Sequence, residues 1–147
     1  MHDIEEFLDQ KSLAVVGASR SGKKFGNIAI RELLANGYRL FPVHPAATVI
    51  EGLDCYPSLR AIPLPVGGVL ISVHPEDTQR VVEDAASAGI HRVWMIQGSS
   101  SPHVLTFCKE HRMTEVHGAC ILLFLEKSKG IHRFHRWFLK IFRRLPR

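Results

Sequence analysis

The sequence predicts an α/β domain built on a doubly wound, parallel sheet of five strands with helices on both faces. Short apolar runs alternate along the chain with amphipathic segments, which is the pattern of successive βαβ units. The first apolar run, residues 13–16, contains no polar residue, as expected of a strand covered on both faces. Counting the five strands along the chain, we expect them to lie in the order 3-2-1-4-5.

The first strand opens a unit that is suited to binding phosphate. Residues 13–16 are followed by a turn rich in glycine and serine, and then by an amphipathic helix that ends at Gly37. The first N–H groups of a helix have no intrahelical partner, and the helix dipole favours negative charge there. Arg20, Lys23 and Lys24 add positive charge to the turn. The unit predicts a phosphorylated ligand, and a turn that serves backbone geometry alone is the alternative.

The segments on either side of this unit complete the first half of the chain. Ile4, Phe7 and Leu8 predict a short amphipathic helix before the first strand. Residues 38–43 predict the second strand, which a right-handed crossover places beside the first. Residues 46–57 indicate a loop that contains a short extended piece.

The second half continues the alternation of strands and helices. Proline and glycine mark where its helices begin and end. The predicted elements are a helical turn over residues 58–62, a strand over 66–73, a helix from 75 to 89, a strand over 92–96, a helix opening at 101–102 and a strand over 113–117.

The turn nearly fits the dinucleotide-binding pattern G-x-G-x-x-G. Gly17 and Gly22 match the first and last glycines, but Ser19 stands where the second glycine is required. An NAD site also needs an acid at the end of the second strand, and the nearest acid is Glu51. An NAD(P)-dependent or other nucleotide-using enzyme is therefore an alternative with weaker support.

The turn also nearly fits the P-loop pattern G-x-x-x-x-G-K-[ST]. Gly17, Gly22 and Lys23 match it, but Lys24 stands where a hydroxyl should hold Mg²⁺. The third strand runs into His74, and no later strand ends in an acid that could serve as a second metal anchor. The sequence therefore does not predict an NTPase.

A series of short motifs runs along residues 12–120. The series is Val16-Gly17-Ala18-Ser19, Phe25-Gly26-Asn27, Gly37-Tyr38-Arg39, Pro42-Val43-His44-Pro45, Cys55-Tyr56-Pro57-Ser58-Leu59, Ile62-Pro63, His74-Pro75-Glu76-Asp77, Ala88-Gly89-Ile90, Val93-Trp94, Gly98 and Cys120. In this order and spacing, the chain resembles the small CoA-binding domain that occurs alone in many bacteria and as the N-terminal domain of the succinyl-CoA synthetase α subunit. The resemblance implies a Rossmann-like fold.

The resemblance implies that the chain binds CoA or an acyl-CoA and has no catalytic residues of its own. The phosphohistidine of the synthetase lies in a second domain that this chain lacks, so the ligase reaction is not carried over. By resemblance, Ser19, Arg20 and Lys24 hold the CoA phosphates. His44-Pro45 would border the adenine, while Val73-His74 and Gln97 would line the path of the pantetheine arm. The implied cofactor-binding residues are Gly17, Ala18, Ser19, Arg20, Lys23, Lys24, Phe25, Gly26, Asn27, His44, Pro45, Val73, His74, Gln97 and Gly98.

In one place the chain departs from the synthetase pattern. The relatives have a lysine shortly after the second strand, where this chain has Ala46 and Ala47. The departure weakens the site for the adenosine phosphate, although Lys23 or Arg39 could substitute for that lysine.

Composition and cysteine content predict a cytoplasmic globular protein. Apolar residues make up 46% of the chain and charged residues 22%, which is ordinary for a soluble domain. Three cysteines without a C-x-x-C pair indicate a reducing compartment. The N-terminus has no apolar signal segment, and no run approaches the ~20 apolar residues of a membrane span. We expect one domain over residues 1–126.

Histidines and cysteines are the candidates for metal or redox chemistry. His132 and His135 are three residues apart, but they lack a partner acid or cysteine, so no metal site is predicted. His74 is the histidine best placed for chemistry, although a loop role is favoured. Cys120 could respond to oxidation or form a mixed disulfide with a CoA thiol, but an inert buried cysteine is favoured.

Residues 127–147 form a second unit, which we predict to be a basic amphipathic helix. No acid follows Glu126, and aliphatic and aromatic residues form a broad stripe at helical spacing. Packing on its own domain is favoured, followed by dimerisation with a second copy and by an anionic membrane surface. Nucleic acid ranks last because nothing resembles a base-reading module. An interaction module that acts through this helix is the third functional hypothesis.

Overall fold

The structure is a computed structural model that describes residues 2–125. The predicted α/β class with a parallel five-stranded sheet is confirmed. The sheet contains β1 (Ser12–Val16), β2 (Arg39–Val43), β5 (Gly68–Ile71), β6 (Arg92–Met95) and β7 (Thr114–His117), and the short strands β3 (Val49–Ile50) and β4 (Leu53–Asp54) form a separate hairpin. The predicted C-terminal helix, residues 127–147, lies outside the described residues, as do His132 and His135.

The predicted strand order was wrong. The order is β2-β1-β5-β6-β7, which is 2-1-3-4-5 when the five strands are counted along the chain. The outer edge of β2 is occupied instead by Tyr56, whose N–H donates to Pro42 and whose carbonyl accepts from His44. All four residues of β5 are buried. This burial fits a central strand that pairs with β1, whereas a strand at the edge of the sheet would be more exposed. The strand order therefore reverses between β1 and β5.

Within residues 2–125, four helices cover the sheet, and each lies where the sequence predicted a helix. They are α1 (His2–Leu8), α2 (Phe25–Ala35), α3 (Pro75–Ser87) and α4 (Pro102–Glu110). A 3-10 turn at Leu59–Ala61 stands where a helical turn was predicted, and a second follows β7 at Ile121–Phe124. No helix within residues 2–125 is both long enough and apolar enough to cross a bilayer.

The hydrophobic core has two layers, one on each face of the sheet. Successive residues of a strand point to opposite faces. Leu13 and Val15 of β1 accordingly belong to the layer under α1 and α2, whereas Ala14 belongs to the layer under α3 and α4. The described helices therefore cover both faces of the sheet, as predicted.

Trp94 joins the two ends of the described chain on one face. Its ring is fully buried and makes edge-to-face contacts with Phe7 of α1 and with Phe124. Its indole N–H donates to the carbonyl oxygen of Ala119 at 2.9 Å. The amphipathic helix predicted around Phe7 therefore contributes to the core of the domain.

Candidate functional site

The register of the sheet brings four loops to one edge. Val16 pairs with Val43 on one side and with Ile71 on the other, and Ile71 pairs with Met95. Because parallel strands end at the same edge, the loops that follow β1, β2, β5 and β6 begin side by side. We call this the carboxyl edge.

The loop after β1, residues 17–24, is the predicted phosphate turn, and its first residue can only be glycine. Gly17 has φ 119°, and a Cβ built there would lie 2.1 Å from the carbonyl oxygen of Ser72. At the other end, a Cβ on Gly26 would lie 2.8 Å from the backbone nitrogen of Ala18. The turn is therefore pressed between the end of β5 and the first turn of α2.

Asn27 holds the middle of the phosphate turn in place. Its side chain is completely buried. Its Oδ1 accepts from the Ser19 N–H at 2.9 Å, and its Nδ2 donates to the Ser19 carbonyl at 2.8 Å and to Oε2 of Glu51 at 2.9 Å. Loss of any of these bonds would leave a polar group of a buried site without a partner, which costs free energy. The three bonds therefore favour one conformation of the turn.

The phosphate turn carries three exposed cations. Arg20, Lys23 and Lys24 are all exposed, and none forms an ion pair with another residue in the described range 2–125. Lys24 is also the N-cap of α2, and its side chain makes no capping hydrogen bond to that helix. The orphan N–H groups of the first helical turn and these cations together make the turn attractive to anions.

A cavity of about 400 Å³ opens beside the phosphate turn, at the ends of β5 and β6. Six of its lining residues belong to the predicted cofactor site, and four were not in that set. The predicted ones are Lys24, Phe25, Val73, His74, Gln97 and Gly98, and the added ones are Ser72, Asp77, Ile96 and Ser99. The buried Ser99 hydroxyl donates to the carbonyl oxygen of Val73 and so ties the loop after β6 to the loop after β5.

His44 and Pro45 lie at the carboxyl edge but do not line this cavity. Nδ1 of His44 accepts from the N–H groups of Ala46 and Ala47, both at 3.0 Å. The ring is thereby fixed against its own loop, and a neutral imidazole would carry its proton on Nε2. The two residues form a separate part of the edge, on the β2 side of the phosphate turn.

Arg31 contacts the phosphate turn, Glu51 contacts Arg31 and Asn27, and neither Arg31 nor Glu51 was in the predicted site. Oε1 of Glu51 lies 3.7 Å from Nε of Arg31, and Nη2 of Arg31 donates to the Gly22 carbonyl at 3.1 Å. Glu51 reaches these two side chains of α2 from the tip of the β3–β4 hairpin. In the sequence it was considered only as an acid for a dinucleotide site. The sequence contains one indication of its position, because the neighbouring Gly52 is typical of a tight hairpin turn.

The opposite edge of the sheet holds a second cavity, of about 380 Å³. Its lining includes Val66 and Ile90, which precede β5 and β6, together with Leu59 and Ile62. The phosphate turn and its cations are at the other end of the strands. Among residues 2–125, no group of three or more His, Cys, Asp or Glu side chains is arranged to hold a metal ion.

The three cysteines are protected by the fold to different degrees. Cys120 and Cys108 are buried in the two core layers, whereas Cys55 is half-buried. Burial raises the pKa of the Cys108 thiol to about 11, with a smaller contribution from the nearby Glu115 carboxylate. Burial likewise raises the pKa of Cys120 and of Cys55. These environments favour the interpretation of Cys120 as an inert core residue.

We expect the native protein to react with a disulfide reagent at pH 8 at least ~10-fold more slowly than free cysteine, because the thiols are protonated and shielded. Cys55 should react first because it is the most exposed, and Cys55→Ser should remove this first phase. The rate at Cys108 should rise with pH toward about 11, as the thiolate fraction increases. Stopped-flow absorbance checks this. A fast phase that persists in Cys55→Ser would contradict the buried placement of the other two thiols.

Comparison with known proteins relates this chain to a described domain. A family model described as a CoA binding domain matches residues 11–126. Acetate–CoA ligase [ADP-forming] II of Archaeoglobus fulgidus is 37% identical over 90 residues, which are 60% of this chain and 13% of that protein. The chain thus spans about an eighth of the length of that ligase.

Solved structures show the same similarity at the level of the fold. A conserved hypothetical protein from Pyrococcus furiosus superposes with a TM-score of 0.73 and 34% identity, over 77% of this chain and 97% of that one. The dinucleotide-forming acetyl-coenzyme A synthetase 1 of Ca. Korarchaeum cryptofilum superposes with a TM-score of 0.63 and 28% identity. That match covers 76% of this chain and 25% of the synthetase.

Proposed function

This chain belongs to the CoA-binding domain family, and from that premise we propose that it binds CoA or an acyl-CoA at the carboxyl edge without catalysing a reaction. The observation that carries the proposal is the phosphate turn. Gly17 and Asn27 fix its backbone, and three exposed cations surround it. Such a turn offers N–H groups and positive charge to the phosphates of the nucleotide part.

The neighbouring cavity suits the pantetheine arm. It combines the apolar side chains of Phe25, Val73 and Ile96 with the polar group of Gln97. A narrow chain with two amides needs this combination, since its methylene groups bury apolar surface while its amides need hydrogen-bond partners. Lys24 lines the cavity and also belongs to the turn, so one side chain connects the two parts of the proposed site.

The geometry gives little support to the nicotinamide alternative. A dinucleotide site uses an acid near the end of the second strand to bind the ribose hydroxyls. Glu51 is the nearest candidate, and its carboxylate is engaged by Asn27 and Arg31. The third hypothesis, an interaction module, depends on residues 127–147, which lie outside the described range. Dimerisation and a cytoplasmic location remain predictions from the sequence.

A calorimetric titration with a panel of ligands tests the proposal. CoA, acetyl-CoA, NAD⁺, NADP⁺ and ATP should each be titrated into the purified protein. We expect saturable binding of CoA and acetyl-CoA, and weaker or no binding of the other three. Equal binding of ATP and CoA would mean that the pantetheine part contributes nothing, and flat traces for both CoA compounds would overturn the proposal.

Substitution of Lys24 should separate the proposed site from general surface charge. We expect Lys24→Ala to weaken CoA binding roughly 10-fold, because it removes a charge-assisted contact to phosphate. Lys109→Ala is the matched control, since Lys109 is also exposed but lies in the last turn of α4. A similar loss in both variants would point to non-specific attraction and against a phosphate site at the turn. Arg20→Ala should behave like Lys24→Ala.

A further inference from the structure

The tip of the β3–β4 hairpin is joined to the phosphate turn through one carboxylate. Oε2 of Glu51 accepts from Nδ2 of Asn27 at 2.9 Å, and Oε1 lies 3.7 Å from Nε of Arg31. Asn27 holds both backbone groups of Ser19, and Arg31 donates to the Gly22 carbonyl. Two separate points on the turn are therefore tied to the same residue of a distant hairpin.

The hairpin turn by itself does not account for a glutamate at this position. Glu51 has φ 52° and Gly52 has φ 76°, so both central residues lie in the left-handed region. Such turns favour asparagine, aspartate and glycine, and a longer side chain there costs conformational free energy. The Glu51 side chain is nevertheless only 16% exposed and is directed to the phosphate turn. Its contacts with Asn27 and Arg31 offer a reason for its presence.

We propose that Glu51 is a positioning residue that sets the conformation of the phosphate turn before a ligand binds, an inference that rests on the proposed function of the turn. Glu51 orients the Asn27 amide, and the Asn27 amide then fixes the N–H and carbonyl of Ser19. A site that is ordered in advance avoids the entropic cost of ordering a loop when it binds its ligand. Glu51 acts through Asn27 and Arg31, and it needs no contact with the phosphates.

Amide hydrogen exchange in the ligand-free protein tests this role without any ligand. Glu51→Ala removes the carboxylate but keeps a Cβ, so the strain of the left-handed backbone is retained. We expect the Ser19 amide, which donates to Asn27 at 2.9 Å, to exchange roughly 10-fold faster in this variant. The Ile90 amide, bonded to Ala85 at the opposite edge, should exchange at the wild-type rate. Glu51→Gln keeps an acceptor for Asn27 and should restore slow exchange at Ser19.

CoA titration of the same variants tests the consequence for binding. We expect Glu51→Ala to weaken CoA binding roughly 10-fold and Glu51→Gln to stay within about threefold of wild type. Glu110→Ala, which removes an exposed carboxylate at the end of α4, should have no effect. If Glu51→Ala does not fold, Arg31→Ala can be used instead, because it removes the contacts of Arg31 with Glu51 and with the Gly22 carbonyl. The amides of the phosphate turn should then exchange faster.

The two measurements separate the positioning role from the proposed function. Unchanged Ser19 exchange in Glu51→Ala would overturn the positioning role, whatever CoA does. Faster Ser19 exchange together with no CoA binding by the wild-type protein would support the role of Glu51 in the turn and overturn CoA as the ligand. Faster exchange with unchanged CoA affinity would show that the order of the turn does not control binding, and would overturn the proposal.

Discussion

Replacement of Gly17 by alanine should destabilise the fold by roughly 3–5 kcal/mol, which combines backbone strain at positive φ with overpacking. The φ of 119° at this position is rarely adopted by residues with a side chain. The added Cβ would also lie 2.1 Å from the Ser72 carbonyl oxygen, and backbone cannot move aside as a flexible side chain can. Relief of this clash would separate the ends of β1 and β5, where the proposed ligand site is built.

Urea unfolding followed by circular dichroism measures this loss, and Gly37→Ala is the matched control. Gly37 also has a positive φ, of 87°, but a Cβ added there would meet no atom within 4 Å. The control should therefore cost only about 1 kcal/mol, from backbone conformation alone. An equal loss in the two variants would contradict the close approach of the turn to β5.

Replacement of Asn27 by leucine should cost roughly 3 kcal/mol of unfolding free energy, because it leaves several buried polar groups unpaired. Leucine has a comparable size, so the change removes hydrogen bonds without creating a large cavity. The N–H and carbonyl of Ser19 and one oxygen of Glu51 would lose their partner. We also expect CoA binding to be lost, since the phosphate turn would no longer be held in one conformation.

Thr78→Val provides the comparison for Asn27→Leu in the same unfolding measurement. Thr78 is completely buried as well, but its hydroxyl makes a single bond, to the His74 carbonyl at 3.1 Å. The loss should be about 1 kcal/mol. If Asn27→Leu cost no more than Thr78→Val and left CoA binding intact, Asn27 would not be the residue that fixes the turn.

The elements of the fold could be predicted from the sequence because they depend on local patterns. The apolar run that forms β1 and the glycine that follows α2 each determine the structure of only a few neighbouring residues. The strand order could not be predicted in this way. It depends on whether β5 pairs with β1 or with the outer edge of β2, and in the structure β5 pairs with β1 while Tyr56 occupies that outer edge.

The candidate site shows the same division. Lys24, Val73 and Gln97 could be placed at the carboxyl edge because each lies in the loop that connects a strand to the helix or turn after it. Glu51 could not be placed, because its contact with Asn27 spans 24 residues and depends on the exact path of a hairpin. The fixed orientation of His44 is a local feature, because its bonds reach only two and three residues along the same loop. Contacts between loops follow from tertiary geometry, which no local pattern encodes.

An NMR titration of isotope-labelled protein with CoA tests the proposed site directly, because backbone amide shifts can be followed residue by residue. We predict that the largest changes fall in two segments at the carboxyl edge, residues 17–27 and residues 97–99. Amides at the opposite edge, around Ile62 and Ile90, should shift little although they border a cavity of similar size. Changes concentrated at that opposite edge, or no changes at saturating CoA, would contradict a CoA site built on the phosphate turn.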